Sequence, residues 1–266
     1  MKLAFIGGGT MGEAIVAGAI TNKVAAATDI AVCDVAPARR EHLSSKYGVM
    51  ATESAAEAAN GANLIVLAVK PQEFAAAAGG LKGSLKSGQT VMSIMAGVRI
   101  DTIAEVTGHT AIVRTMPNTP ATIGQGMTVW TATATVAGPA RESVRRLLSV
   151  LGEEATVDDE KYIDMATAVS GSGPAYVFLL IEALVDAAVE IGLDREMATR
   201  MVLQTVKGSA RYAEDSGAEP AALRDQVTSP GGTTEAALRE LEDAGVRADF
   251  ARAVGAAYER AKELGG

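Results

Sequence analysis

Two short runs of glycine and hydroxyl residues carry most of the chemistry open to this 266-residue chain. The first is Gly7-Gly8-Gly9-Thr10-Met11-Gly12, which ends an apolar stretch and opens a helical pattern. Its Gly7-x-Gly9-x-x-Gly12 spacing suits a dinucleotide. Gly7 allows a tight turn, Gly9 lets the backbone approach a pyrophosphate, and Gly12 permits close packing of helix on strand. Gly8, Thr10 and Met11 complete the loop, and a helix N-terminus there offers oriented N–H groups and partial positive charge. The second run is Ser229-Pro-Gly-Gly-Thr-Thr234, just ahead of the periodic segment "EAALRELEDAG". The N–H groups of Gly231, Gly232 and Thr233, with the Ser229 hydroxyl, could form another anion site. The same residues also make an ordinary helix cap. Local sequence leaves both readings open.

Asp34 ends the second apolar run, roughly twenty residues beyond the first loop, where an acid commonly bonds the adenosine ribose and favours NAD. Arg39 and Arg40 follow, and an arginine at this place can instead hold a 2′-phosphate. The expected site therefore takes NADH or NADPH. With two histidines (His42 and His109) and one cysteine (Cys33), an internal disulfide and a cysteine-based zinc cluster are excluded, and no metal site is expected. A net charge of −8 without any basic run argues against nucleic acid. "MKLAFIGGG" runs straight into a strand without a signal-peptide pattern, and no uninterrupted apolar window is read as a membrane span. The expectation is a cytoplasmic protein that does not engage a membrane.

Around these loops, short apolar runs alternate with helical segments. "KLAFIG", "DIAVCD", "ANLIVLAV", "QTVMSIMA", "TAIVRTM" and "GMTVWTAT" read as strands, and "EATVD" as a short last one. "TMGEAIVAGAITN", "APARREHLSSKYG" and "PQEFAAAAGGLKGSLK" read as helices, the last opened by Pro71. Such alternation predicts an α/β domain with a parallel, doubly wound sheet over residues 1–158. From Asp159 onward every long segment has helical period, which predicts an all-α domain over residues 159–266. The run from Pro174 to Ile191 is apolar on nearly every face and is read as a core or subunit-interface helix. Trp130 and residues such as Met92, Met95, Met116 and Met127 are read as core filler. The two prolines around Asn118 are read as fixing a rigid turn.

The chain resembles the pyrroline-5-carboxylate reductase family over essentially its whole length. The match is carried by "FIGGGTMGEAI", "AVKPQ", "SIMAGV", "VRTMPNTPATIGQG", "SGSGPAYVF" and "LRDQVTSPGGTTEAALRELE". The last is the family's signature, and its order and spacing are far more specific than a glycine-rich loop. The resemblance implies reduction of the cyclic imine to L-proline by NAD(P)H. It also implies an N-terminal Rossmann domain and a helical C-terminal domain that interlocks into a homodimer, which often assembles further.

By the family's motifs, Val69, Lys70 and Pro71 lie along the cofactor, and Ala96 and Gly97 beside its nicotinamide end. The Ser229–Thr233 loop takes the carboxylate of the imino-acid substrate. Thr234 supplies the catalytic hydroxyl at the ring nitrogen. Glu160 aligns with an acidic residue that approaches substrate in family members, although a solvated charge is an equal reading. The two glycine loops would have to face each other, with a dimer interface as the expected place. A related β-hydroxyacid dehydrogenase or imine reductase is the nearest alternative. A hydroxyacid dehydrogenase needs a lysine just after the Gly171-Ser-Gly segment as its acid/base, and here none occurs until Lys207. A dinucleotide sensor without catalysis would have no use for the second loop.

Overall fold

A computed structural model describes residues 1–265. Its strands are β1 (Leu3–Ile6), β2 (Ile30–Cys33), β3 (Met50–Thr52), β4 (Leu64–Leu67), β5 (Thr90–Ser93), β6 (Ile112–Met116), β7 (Gly126–Ala132) and β8 (Gly152–Thr156). They form one sheet in the order β3-β2-β1-β4-β5-β6-β7-β8. The central strands are buried on both faces, as a sheet covered by helices on each side requires. Along β1 the side chains divide by parity. Leu3 and Phe5 join one core, and Ala4 and Ile6 the other. The first core is closed by α1 (Thr10–Thr21), α2 (Pro37–Tyr47) and α6 (Gly138–Leu148) through Ile15, Leu43 and Leu147. The second is closed by α3 (Ala55–Ala59), α4 (Phe74–Ala78) and α5 (Ile100–Thr107) through Ala58, Phe74 and Ile103.

Several expectations need correction. The sheet is not wholly parallel, because β7 runs antiparallel to β6. The link between them holds only the short turn Thr119–Ile123, and a parallel return would need a crossover of about a dozen residues or more. The long helix expected from Pro71 is broken into a turn at Pro71–Glu73, α4, and a turn at Gly79–Leu81. Consecutive glycines at 79 and 80 cost about 1 kcal/mol each in a helix, so it stops there. β3, α3 and α5 were not expected. β3 has only three residues at the sheet edge, but α3 carries a legible start, with Ser54 accepting from the Glu57 N–H at 3.3 Å.

By its contacts the chain forms two compact units, Met1–Gly173 with Ala257–Gly266, and Pro174–Ala256. The first therefore runs beyond Asp158, where the sheet domain was expected to end. It includes α7 (Lys161–Ala166) and a single π-type turn, Thr167–Gly171. The second is helical, with most of α8 (Gly173–Glu190), then α9 (Arg195–Ser216), α10 (Pro220–Gln226), α11 (Thr233–Asp243) and the first part of α12 (Val246–Gly265). Taken together, Lys161–Glu190 form a helical stretch, interrupted by the π-type turn and a bend at Ser172, that is long and apolar enough to cross a membrane by length and composition alone. No uninterrupted apolar window was expected, and Glu182 and Asp186 do interrupt this one. Val177, Phe178, Leu179, Leu180 and Leu184 are all exposed in the single chain.

A buried ion pair explains why α7 belongs with the sheet. Arg114 on β6 is fully buried, with Nη1 2.7 Å from Glu160 Oε1 and Nη2 2.7 Å from Asp164 Oδ1. Glu160 Oε1 also accepts from the Ile100 N–H at 2.8 Å. Removing a guanidinium from water costs several kcal/mol, and two carboxylates at bonding distance offset that cost. Arg114→Met leaves both acids without their cation and is expected to lower unfolding free energy by about 3–5 kcal/mol. Urea denaturation at fixed protein concentration measures this, and a loss below about 1 kcal/mol would contradict the assignment.

Candidate active site

The first glycine loop lies at the carboxyl ends of β1, β2 and β4, where the strand order reverses. Ligands of open α/β sheets bind at such a switch point. Crowding decides each glycine. A Cβ on Gly7, whose φ is +103°, would meet the Ala68 carbonyl oxygen at 2.5 Å and Val69 Cγ1 at 2.8 Å. On Gly12 it would meet the Gly7 carbonyl oxygen at 2.6 Å. At Gly9 it would meet nothing within 4 Å. The turn is thus packed from behind and open in front at Gly9 and Thr10, both exposed. No side chain caps α1, so its first N–H groups are left to an external anion. A dinucleotide pyrophosphate fits this opening.

Asp34 ties the loop to the end of β2. One of its oxygens accepts from the Gly8 N–H at 2.8 Å and the other from the Ala36 N–H at 2.9 Å. A carboxylate has about four acceptor positions, so capacity remains for ribose hydroxyls. Arg39, expected at a 2′-phosphate, is engaged by its own chain, donating to the Gly8 carbonyl and to Glu13. Arg40 donates to the Asp34 and Val35 carbonyls at 2.8 and 3.0 Å. Val69 lies against Gly7, while Lys70 and Pro71 are exposed just beyond. Burial pushes the Cys33 thiol up, and Asp34 adds to the shift, so it stays a protonated core residue.

Glu13 is the residue that motif reading missed. Its carboxylate accepts from Arg39, from Lys46 Nζ at 3.0 Å and from Tyr47 Oη at 2.8 Å, and lies 2.9 Å from His42 Nε2. Burial works to raise its pKa, but the bonds to His42, Lys46, Tyr47 and Arg39 outweigh it and hold the carboxyl far below the usual range. These partners are spread along α2, and no local pattern joins them to a glutamate on α1.

Ala96 and Gly97 follow β5. Gly97 has φ +74°, and a Cβ there would meet Leu264 Cβ at 2.5 Å, so the last turn of α12 packs directly on it. Glu160 lies behind this segment, bonded to Arg114 and to the Ile100 N–H. Asn118 accepts from the Met127 N–H at 3.0 Å and donates to Ser170 Oγ at 3.2 Å, which fixes the turn between β6 and β7.

The second glycine loop belongs to the other compact unit. Gly232 precedes α11, which no side chain caps, and Gly231 has φ +71°. Two N–H groups expected to serve an anion are already used. Gly231 donates to Glu235 Oε2 at 2.7 Å, and Gly232 to the Ser229 carbonyl at 3.0 Å. The uncapped first turn, starting at Thr233 and Thr234, remains. A Cβ on Gly232 would lie 2.6 Å from Ser229 Oγ, so even alanine would displace that hydroxyl. Among the described residues no cluster of three metal-ligating side chains occurs.

A family model described as pyrroline-5-carboxylate reductase dimerisation matches residues 160–264. A second, described as NADP oxidoreductase, coenzyme F420-dependent, matches residues 2–97. The chain is 43% identical over 269 residues to a pyrroline-5-carboxylate reductase of Synechocystis, covering 100% of this chain and 98% of that one. It superposes on a pyrroline-5-carboxylate reductase from Coxiella burnetii with a TM-score of 0.91 and 38% identity, covering 100% of this chain and 98% of the other. For a Plasmodium falciparum pyrroline carboxylate reductase with NADP bound, the TM-score is 0.90 and the identity 32%, with the same coverage. These likenesses define an NADP-type reductase with a Rossmann sheet and a helical dimerisation region. The chain belongs to the pyrroline-5-carboxylate reductase family.

The Glu13 cluster has a pH signature. A carboxyl whose folded pKa is depressed contributes stability above its unfolded value of 4.5 and loses it as pH falls through the folded one. The stability gap between wild type and Glu13→Gln is therefore expected to be full near neutral pH and to shrink below 4.5. Urea melts across that range check it, and a gap that widens toward acid would contradict the assignment.

Proposed function

We propose that this chain reduces L-1-pyrroline-5-carboxylate to L-proline, the last step of proline biosynthesis. The supporting observation is full-length identity of 43% to a reductase of that name, joined to an open dinucleotide turn at the sheet's switch point. The dinucleotide, when bound, supplies the hydride. Gly9, Thr10 and Met11 hold its pyrophosphate, Asp34 its ribose, and Val69, Lys70 and Pro71 flank it. Ala96 and Gly97 shape the nicotinamide end. Glu160 acts from behind them, since it bonds the Ile100 N–H and thereby holds the turn after β5.

Protonating the imine makes its carbon far more electrophilic, so the chain has mainly to hold a planar ring and its carboxylate in place. Ser229, Gly231, Gly232 and Thr233 form the carboxylate loop. Within it, Glu235 marks the position of an anion by taking the Gly231 N–H itself. Thr234 hydrogen-bonds the ring nitrogen as it becomes an amine. A hydroxyacid dehydrogenase is not favoured, because no lysine follows Gly171 until Lys207, leaving a developing alkoxide without its proton donor.

We further propose a homodimer through the exposed apolar faces of α8 and its neighbours, with higher assembly of dimers and a cytoplasmic location. A second copy covering Val177, Phe178, Leu179, Leu180 and Leu184 removes from water large apolar side chains that the single chain leaves exposed.

Consumption of NADH or NADPH with pyrroline-5-carboxylate tests the activity, and no turnover with either would defeat it. Thr234→Ala is expected to lower kcat/KM by about tenfold or more, the worth of one hydrogen bond in the transition state. Unchanged kinetics in a folded variant would remove Thr234 from the mechanism. Phe178→Asp, at a side chain 61% exposed in the single chain, should convert the dimer to monomer in sedimentation velocity. A dimer unaffected by it would place the interface elsewhere.

A further inference from the structure

We propose that Glu13 sets the choice between NADH and NADPH, by occupying with its own carboxylate the donors that a 2′-phosphate would otherwise draw. The proposal rests on the dinucleotide reading of the first glycine loop. It assigns a specificity role to a residue outside the glycine pattern.

Position comes first. Glu13 directly follows Gly12 in the first turn of α1, and Arg39 joins it to the loop by donating to both Glu13 and the Gly8 carbonyl. The Gly8 N–H in turn bonds Asp34, the acid that suits a ribose. The guanidinium therefore lies on the same loop residue as the acid that suits a ribose, Gly8 bonding Arg39 through its carbonyl and Asp34 through its N–H.

The donors are of the kind a phosphate takes. A guanidinium, an ammonium and a phenol hydroxyl converge on one carboxylate, with an imidazole nitrogen beside it. Such a set, arginine above all, is what recognises a dianionic phosphate. All four partners come from α2, and Arg40, the other nearby cation, is engaged by the Asp34 and Val35 carbonyls and by Glu53. Glu13 keeps its charge across neutral pH, since its hydrogen bonds outweigh burial. The arginine and lysine side chains are 28% and 54% exposed, so a ligand can reach them, whereas the Glu13 side chain is 17% exposed.

The two cofactors then meet different conditions. A ribose 2′-hydroxyl asks nothing of Arg39 and leaves the cluster intact. A 2′-phosphate must either draw Arg39 and Lys46 from Glu13 or sit beside a fixed charge of its own sign. Discrimination of this kind works by placing a repulsive group against the unwanted partner. Glu13 thus lowers the advantage that Arg39 would otherwise give to NADPH, and brings the two cofactors closer together.

The test measures both cofactors on one preparation, so that any loss of folded protein cancels in the ratio. In Glu13→Gln the ratio of kcat/KM for NADPH to that for NADH should rise by about tenfold. Competition binding of adenosine 2′,5′-bisphosphate against 5′-AMP should move the same way, and it needs no turnover. In an Arg39→Gln background the Glu13→Gln effect should shrink, as expected for residues coupled through one contact, with Lys46 and the charge of Glu13 itself keeping the remainder. A ratio that is unchanged or falls in Glu13→Gln overturns the proposal. A rise undiminished without Arg39 overturns it too. Should Glu13→Gln fail to fold, Arg39→Gln alone still decides, because an unaltered ratio there means the cluster does not read the phosphate. Failure of wild type to reduce the imine would count against the proposed function, while the nucleotide competition continues to read Glu13. If wild type binds neither nucleotide, the dinucleotide reading and this proposal fall together.

Discussion

A guanidinium with no exposure to water constrains this molecule more than any other group. Arg114 rises from the middle of β6, and a buried cation must be met by anions or it will not stay buried. Glu160 and Asp164, one helical turn apart, meet it. That requirement brings the first turns of the long helix onto the sheet. It also places the Glu160 carboxylate where it can take the Ile100 N–H and steady the turn after β5. Sheet, turn and helix start are thus arranged around one charge.

Much of this architecture is legible in the residues. Apolar runs alternating with helical periods determine a doubly wound sheet, and every strand longer than three residues lies in a run read as one except β8, which begins two residues ahead of "EATVD". The misses have physical causes. β3 is three residues long and pairs along one side only, too short for periodicity to register. The antiparallel β7 follows from the length of a connection, which depends on where β6 ends. Glu160 was read as solvated from its neighbours "VDDEKY" or as near substrate from the family's motif, because its partner Arg114 is remote in sequence. The apolar helix passes as a membrane span by composition, since lipid and a second protein copy demand the same side chains.

The two glycine loops show how far a motif carries. In both, glycines precede a helix whose first turn no side chain caps from the N-cap position. The difference lies in what the rest of the chain does with them. At Gly9 the opening is left clear, and the nearby acid, Glu13, is turned toward α2. At Gly231 a glutamate one turn into the helix already occupies one donor. Motifs report the backbone, and side chains from elsewhere settle which charges it meets.

The packing of Leu264 against Gly97 also bears on the order in which the protein can be completed. Ala257–Gly266 belong to the same compact unit as the sheet, although the intervening Pro174–Ala256 form a unit of their own. During synthesis the sheet can form early, from neighbours in sequence. The turn bearing Ala96 and Gly97 nevertheless waits, uncovered, until residues around Leu264 have left the ribosome. A nascent chain would therefore hold a nearly finished nucleotide fold with one wall missing. The wall that closes it is translated only after the whole of Pro174–Ala256.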